Sequence, residues 1–149
     1  MKNLGLTMMI LAVAGLFAIP FISISAQAAE APPAKGEIRR AVATMDDKGV
    51  QHIDVIGGDY YYDPNYIVVK VNHPVEMRIK KDTRFVPHDI VVKAPEAGIN
   101  FKVELATDYK TIKFTPTKVG KYQMYCDHRF LWFSSHRDKG MEGTIDVVP

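Results

Sequence analysis

Cys126 is the only cysteine in the 149-residue chain. A lone thiol rules out an internal disulfide framework, a Cys-x-x-Cys-His haem attachment, a four-cysteine zinc or iron–sulfur site and a two-cysteine dinuclear copper centre. Cys126 ends the run Tyr122-Gln123-Met124-Tyr125-Cys126, and His128, His136 and Met141 follow within the next fifteen positions. Alternation puts Cys126 on the face of Tyr122 and Met124, away from Lys121 and Gln123, so its sulfur is expected to point inward. Upstream, in Phe85-Val86-Pro87-His88-Asp89-Ile90-Val91-Val92-Lys93, the same parity places His88 with Ile90 and Val92, while Asp89 and Lys93 face the other way. A buried imidazole left without a partner costs about 1–3 kcal/mol, so His88 needs a hydrogen bond or a metal. One thiolate, two imidazoles and one thioether suit copper: sulfur favours Cu(I), nitrogen also satisfies Cu(II), and such a group passes single electrons. At this point the second imidazole can be His136 or His128. In an extended chain the short Cys-x-His spacing would return His128 to the face of Cys126. Nucleophilic cysteine chemistry fits poorly, because an inward thiol near Met141 lacks the exposed electropositive setting that reactive cysteines need.

The elements that must hold these donors read as strands. From Glu37 onward the pattern has period two with turn punctuation, and no window supports an amphipathic helix. Strands are expected around Ile38–Ala43, Val50–Ile56, Ile90–Lys93, Phe101–Leu105, Thr111–Thr115, Lys121–Cys126 and Gly143–Val148. Ile67, Val69 and Val71, then Val75, Met77 and Ile79 beyond Asn72-His73-Pro74, suggest a hairpin. Turn groups such as Asp46-Asp47-Lys48-Gly49, Gly57-Gly58-Asp59 and Pro95-Glu96-Ala97-Gly98 separate the strands. Seven or eight short strands in about 115 residues argue an all-β, two-sheet sandwich. His52 and His73 are expected on the outside. Tyr60-Tyr61-Tyr62 read as ordinary strand residues, and Met45, Met77 and Met124 are too scattered for a metal-collecting surface.

Composition narrows the partners. Hydrophobic residues make up 47% of the chain, and 19 Lys plus Arg against 17 Asp plus Glu leave a formal net charge of +2. That balance argues against nucleic acid. Met1-Lys2-Asn3 leads into an apolar stretch from Leu4 to Ile24, and Ala26-Gln27-Ala28 offers a peptidase site. Residues 1–28 therefore read as a signal peptide; kept uncut, the same stretch would anchor the chain in a membrane. Residues 29–36 read as a linker and 37–149 as the folded domain. Either way the domain is expected in an exported, periplasmic-type compartment, where a free thiol would tend to pair with another chain unless something occupies it.

The segment Phe114-Thr115-Pro116-Thr117-Lys118-Val119-Gly120-Lys121-Tyr122-Gln123-Met124-Tyr125-Cys126, followed by His136-Arg137-Asp138-Lys139-Gly140-Met141-Glu142-Gly143, resembles the carboxyl-terminal signature of the cupredoxins, the plastocyanin- and pseudoazurin-like type 1 copper proteins. Pro87-His88 and the alternating strand after it resemble that family's first histidine, and the likeness spans roughly Tyr60 to Pro149. It implies a Greek-key β-sandwich holding one copper ion, with His88, Cys126 and His136 as equatorial ligands and Met141 as the axial one. His136 is preferred over His128 because its interval to Met141 and Gly143 matches the family pattern. The chain departs from that pattern in two places. Nine residues separate Cys126 from His136, where familiar members place two to four. Asp89 stands where many members carry Asn or Ser, whose hydrogen bonds steady the cysteine loop.

The functional expectation is a non-catalytic electron carrier that exchanges single electrons with a donor and an acceptor redox protein. A copper-handling role in delivery, storage or sensing is the alternative, and a small copper enzyme with an open coordination position is a third. Phe130-Leu131-Trp132-Phe133 offers an apolar loop for partner docking, and Arg129, Arg137 and Lys139 would steer an acidic partner.

Overall fold

Burial alternates along the strands as a half-buried sheet requires: β6 (Val75–Lys81) buries Val75, Met77 and Ile79 and turns Glu76, Arg78 and Lys80 away from the core. The computed structural model describes residues 34, 36–83, 85–129 and 134–149. The expected leader, nearly all of the linker and the Phe130–Phe133 loop lie outside the described residues. β6 belongs to a sheet ordered β2 (Thr44–Met45), β3 (Gln51–Gly58), β6, β9 (Lys110–Phe114), with β4 (Tyr61–Asp63) also paired to β3. The other sheet runs β1 (Arg40–Val42), β5 (Tyr66–Lys70), β11 (Glu142–Val148), β10 (Gly120–Tyr125), β7 (Asp89–Ala94), β8 (Ile99–Glu104). The fold is the all-β two-sheet sandwich expected, with parallel pairs β1–β5, β5–β11 and β3–β6 among antiparallel ones.

The sandwich departs from the sequence reading at three places. β5 and β6 do not form a hairpin. They lie in different sheets, β5 between β1 and β11 and β6 between β3 and β9, so the Asn72-His73-Pro74 corner crosses the core. Asn72 takes φ 62 to make the turn, a conformation asparagine tolerates well. The corner is held by Gln51, a buried β3 residue whose amide nitrogen donates to the carbonyls of Lys70 (3.0 Å) and His73 (3.3 Å) and whose Oε1 accepts from Lys70 N (2.6 Å). The expected strand Ile38–Ala43 is shortened to β1, and beyond it the chain switches sheets to form β2, with Ala43 N donating to Val68 O at the switch (2.9 Å). Finally, Gly57 and Gly58 extend β3 rather than forming a turn. The reversal falls on Asp59-Tyr60, and Gly58 pairs with Tyr61 across the resulting hairpin.

Gly98 closes the short 3-10 turn Pro95–Ala97 in the left-handed region, φ 72, and returns the chain to β8. The core between the sheets is built from Val55, Tyr62, Ile67, Val69, Met77, Ile79, Ile90, Val92, Ile99, Met124, Ile145 and Val147. At one end of this core the apolar packing gives way to His88, Cys126, His136 and Met141, all buried.

Candidate metal centre

His88 immediately precedes β7, and its backbone is held from two sides. Its carbonyl accepts from Leu105 N (2.8 Å), and the carbonyl of the next residue, Asp89, accepts from the buried Tyr62 hydroxyl of β4 (2.5 Å). Cys126 immediately follows β10, which is paired to β7 at Tyr125 and Val91. Neighbouring strands of one sheet thus deliver the imidazole and the sulfur to the same end.

The remaining donors come from the turn between β10 and β11. Ser135-His136-Arg137-Asp138 closes as a reciprocal cap: Ser135 N donates to Asp138 Oδ2 (2.9 Å) and Asp138 N to Ser135 Oγ (3.1 Å). Gly140, at φ 107, lets the chain double back so that Met141 N donates to His136 O (3.0 Å) while Met141 O accepts from Cys126 N (3.0 Å). One hydrogen-bonded backbone ring therefore carries Cys126, His136 and Met141. The long excursion is closed at its base, where His136 N donates to His128 O (3.0 Å). Gly143 then enters β11 where no side chain fits, since a Cβ would stand 2.4 Å from Asn65 O and from Met124 Cε.

His88 Nδ1 and His136 Nδ1 lie 3.1 Å apart, and Cys126 Sγ lies 3.5 Å from His136 Nδ1; all three donor atoms fall within 4.8 Å of one another. Donors sharing one ion at about 2.0–2.3 Å can be no more than about 4.6 Å apart, and the two closest separations are inside that reach. Met141 is fully buried beside Gly57, where a Cβ would meet Leu105 Cδ1 at 2.5 Å and Met141 Cε at 3.6 Å. The paired glycines are the only sequence signal of this close approach.

Burial sets the protonation of the donors. It pushes the His88 imidazole down to about 4, helped by the charge of His136, and it lowers His136 as well, helped by His128. Both rings are neutral at pH 7, the form a metal takes. Burial pushes the Cys126 thiol up to about 11, against the backbone amides of Asp89 and His128, which pull it down. A cation that settles on the sulfur must displace a proton.

Asp89 faces away from His88, as alternation requires, yet it is buried rather than exposed. That face of β7 is covered by the chain leaving Cys126: Asp89 Oδ1 accepts from Asp127 N (2.6 Å), and Lys102 Nζ sits 3.3 Å from Oδ2. The carboxylate thus steadies the cysteine loop. His128 is drawn aside by Glu104, with Nε2 at 2.9 and 3.2 Å from the two carboxylate oxygens, and is not grouped with the sulfur. His52 is partly exposed and bonds Asp46 (2.9 Å), well away from these donors in the fold. The described residues thus bring together three of the four expected ligands around one point, with the fourth, Met141, bonded to two of them through its backbone.

No family model and no curated protein matches the chain. Solved structures do. The metal-binding domain of the Streptococcus pneumoniae Cu(I)-exporting P-type ATPase CopA aligns with a TM-score of 0.58 at 20% identity, covering 76% of this chain and 100% of that one. Dithionite-reduced auracyanin from Roseiflexus castenholzii aligns at 0.53 and 21%, covering 66% and 97%. Auracyanin A, a blue copper protein from Chloroflexus aurantiacus, aligns at 0.52 and 17%, covering 67% and 100%. The chain has a cupredoxin-like fold.

Proposed function

We propose that this chain is an exported mononuclear type 1 copper protein that carries single electrons between redox partners, with His88, Cys126 and His136 as equatorial ligands and Met141 as the axial one. The observation that carries this reading is the convergence of one sulfur and two neutral imidazoles at a buried point, on a backbone ring that also bears a methionine. A soft thiolate with two nitrogens and a weak thioether suits both Cu(I) and Cu(II), and copper bound there supplies one-electron chemistry. The chain's own residues exclude water, hold the rings neutral and limit movement of the donors. Such a role asks for no substrate and no open coordination position, and on this reading the protein is not an enzyme. Residues 1–28 fit an export leader; among the described residues no helix is long and apolar enough to cross a membrane.

Partners would approach where His136 comes nearest the surface, at 6% exposure, beside the exposed Phe85 and Arg129. Titration of the purified protein with cupric salt tests the proposal. One equivalent should bind, with an intense visible sulfur-to-Cu(II) band and reversible one-electron cycling. Protein that stays colourless and takes up no stoichiometric metal overturns it.

Likeness to a domain of a Cu(I)-exporting ATPase supports a second reading, Cu(I) handling. That role predicts Cu(I) uptake without the visible band or reversible cycling.

A further inference from the structure

Tyr60 occupies a backbone conformation that its side chain disfavours. Its φ is 65, the left-handed region, which a bulky residue enters at a cost of about 1–3 kcal/mol and which glycine enters freely. At the hairpin tip, Tyr60 packs partly buried against the core. Tyr61 covers Gly58 so tightly that a Cβ there would be 2.0 Å from its ring. The aromatic ring of Tyr60 meets His136 edge-on, with centroids 4.9 Å apart and planes at 81°, and His88 at 6.1 Å and 90°. Lys139, from the turn between His136 and Met141, lies 4.2 Å from the ring centroid and donates to the Tyr60 hydroxyl (3.1 Å). Tyr60 also walls a cavity of about 310 Å³ that reaches His128 and His136.

From this geometry we infer that Tyr60 is a positioning residue for the metal centre: its ring fixes the planes of both histidines and closes that side of the site to small anions, and its bond to Lys139 fastens the β3–β4 tip to the ligand turn. The inference rests on the copper reading above and deepens it. The strained backbone is tolerated because the ring is held from three directions. An edge-on aromatic contact is worth about 0.5–1.5 kcal/mol beyond its area, so two ring contacts and a cation over the face are of the size needed to offset the strain.

The test compares the full-length wild type with Tyr60→Gly and Tyr60→Phe. Glycine relieves the backbone but gives up ring contacts of similar size, so metal-free Tyr60→Gly should stay folded, with an unfolding temperature within several degrees of wild type. Copper-loaded Tyr60→Gly should lose the wild-type electron paramagnetic hyperfine pattern and bind azide at least about tenfold more tightly than wild type, equivalent to ~1.4 kcal/mol. Tyr60→Phe keeps the ring and should keep the wild-type spectrum and azide response. Retention by Tyr60→Gly of both the wild-type copper spectrum and the wild-type azide response overturns the inference and leaves the copper reading standing. A wild-type protein without the visible band overturns the copper reading itself.

Discussion

The backbone amide of His136 donates to the carbonyl of His128 at 3.0 Å, so the chain leaves and re-enters the site at nearly one point. The ring of His128 is meanwhile held by Glu104. The two residues form the neck of the excursion, but only His136 turns its imidazole toward the sulfur. His136→Ala should abolish the type 1 absorption and paramagnetic spectrum of the copper-loaded protein, whereas His128→Ala should retain both. Loss of the spectrum in the His128 variant alone would reverse the ligand assignment.

Met141→Leu conserves volume at a fully buried position and should cost under about 1.5 kcal/mol of stability. Removing the thioether should leave the colour and raise the reduction potential, read by voltammetry against wild type.

Asp89 accepts from Asp127 N inside the covered face of β7. Asp89→Ala strands that amide and should destabilise the protein by about 1–3 kcal/mol, while Asp89→Asn retains an acceptor and should lose less. Urea unfolding of the metal-free variants ranks them, and the copper spectrum of the Ala variant should broaden as the cysteine loop loosens.

In the sheet of β3, β6 and β9, His52 and Lys113 hold the carboxyls of Asp46 and Glu76 below their ordinary values, 3.8 and 4.5. For a depressed carboxyl the stabilisation is present above the unfolded pKa and disappears as pH falls through the folded one. Stability from this pair should therefore hold above about pH 4.5 and decline below it. Asp46→Asn should show a shallower fall in urea midpoint between pH 5 and pH 3 than wild type, on the order of one protonation step less.

Gly143→Ala would drive a methyl group toward Asn65 O and Met124 Cε. A loss of about 1–3 kcal/mol is expected, measured by thermal unfolding of the metal-free protein.

Residue type and parity made the donor set legible: His88 shares its face with Ile90 and Val92, Cys126 shares its face with Met124, and all of these are buried. Strand positions were legible to within a residue or two for the same reason. Parity, however, identifies a face without identifying the neighbour that covers it. Val75, Met77 and Ile79 look the same whether β6 folds back on β5 or crosses to the opposite sheet, and the deciding contact is Gln51 to Lys70, nineteen residues apart. Asp89 was anticipated outside because nothing local announces that the chain after Cys126 will lie over it. Tyr60 was hidden by its company: in a run of three tyrosines only the backbone twist at the hairpin tip sets it apart.

All four donors hang from the adjoining strands β7, β10 and β11 of a single layer, while Tyr60 and Gly57 belong to the β3–β4 hairpin of the other. If the layers shift against each other, strand pairing holds the donors' backbones in register, and the Tyr60 ring carries the shift to the planes of His88 and His136. A change confined to the β3–β4 hairpin therefore reaches the site through the orientation of its rings rather than through the strands that anchor them.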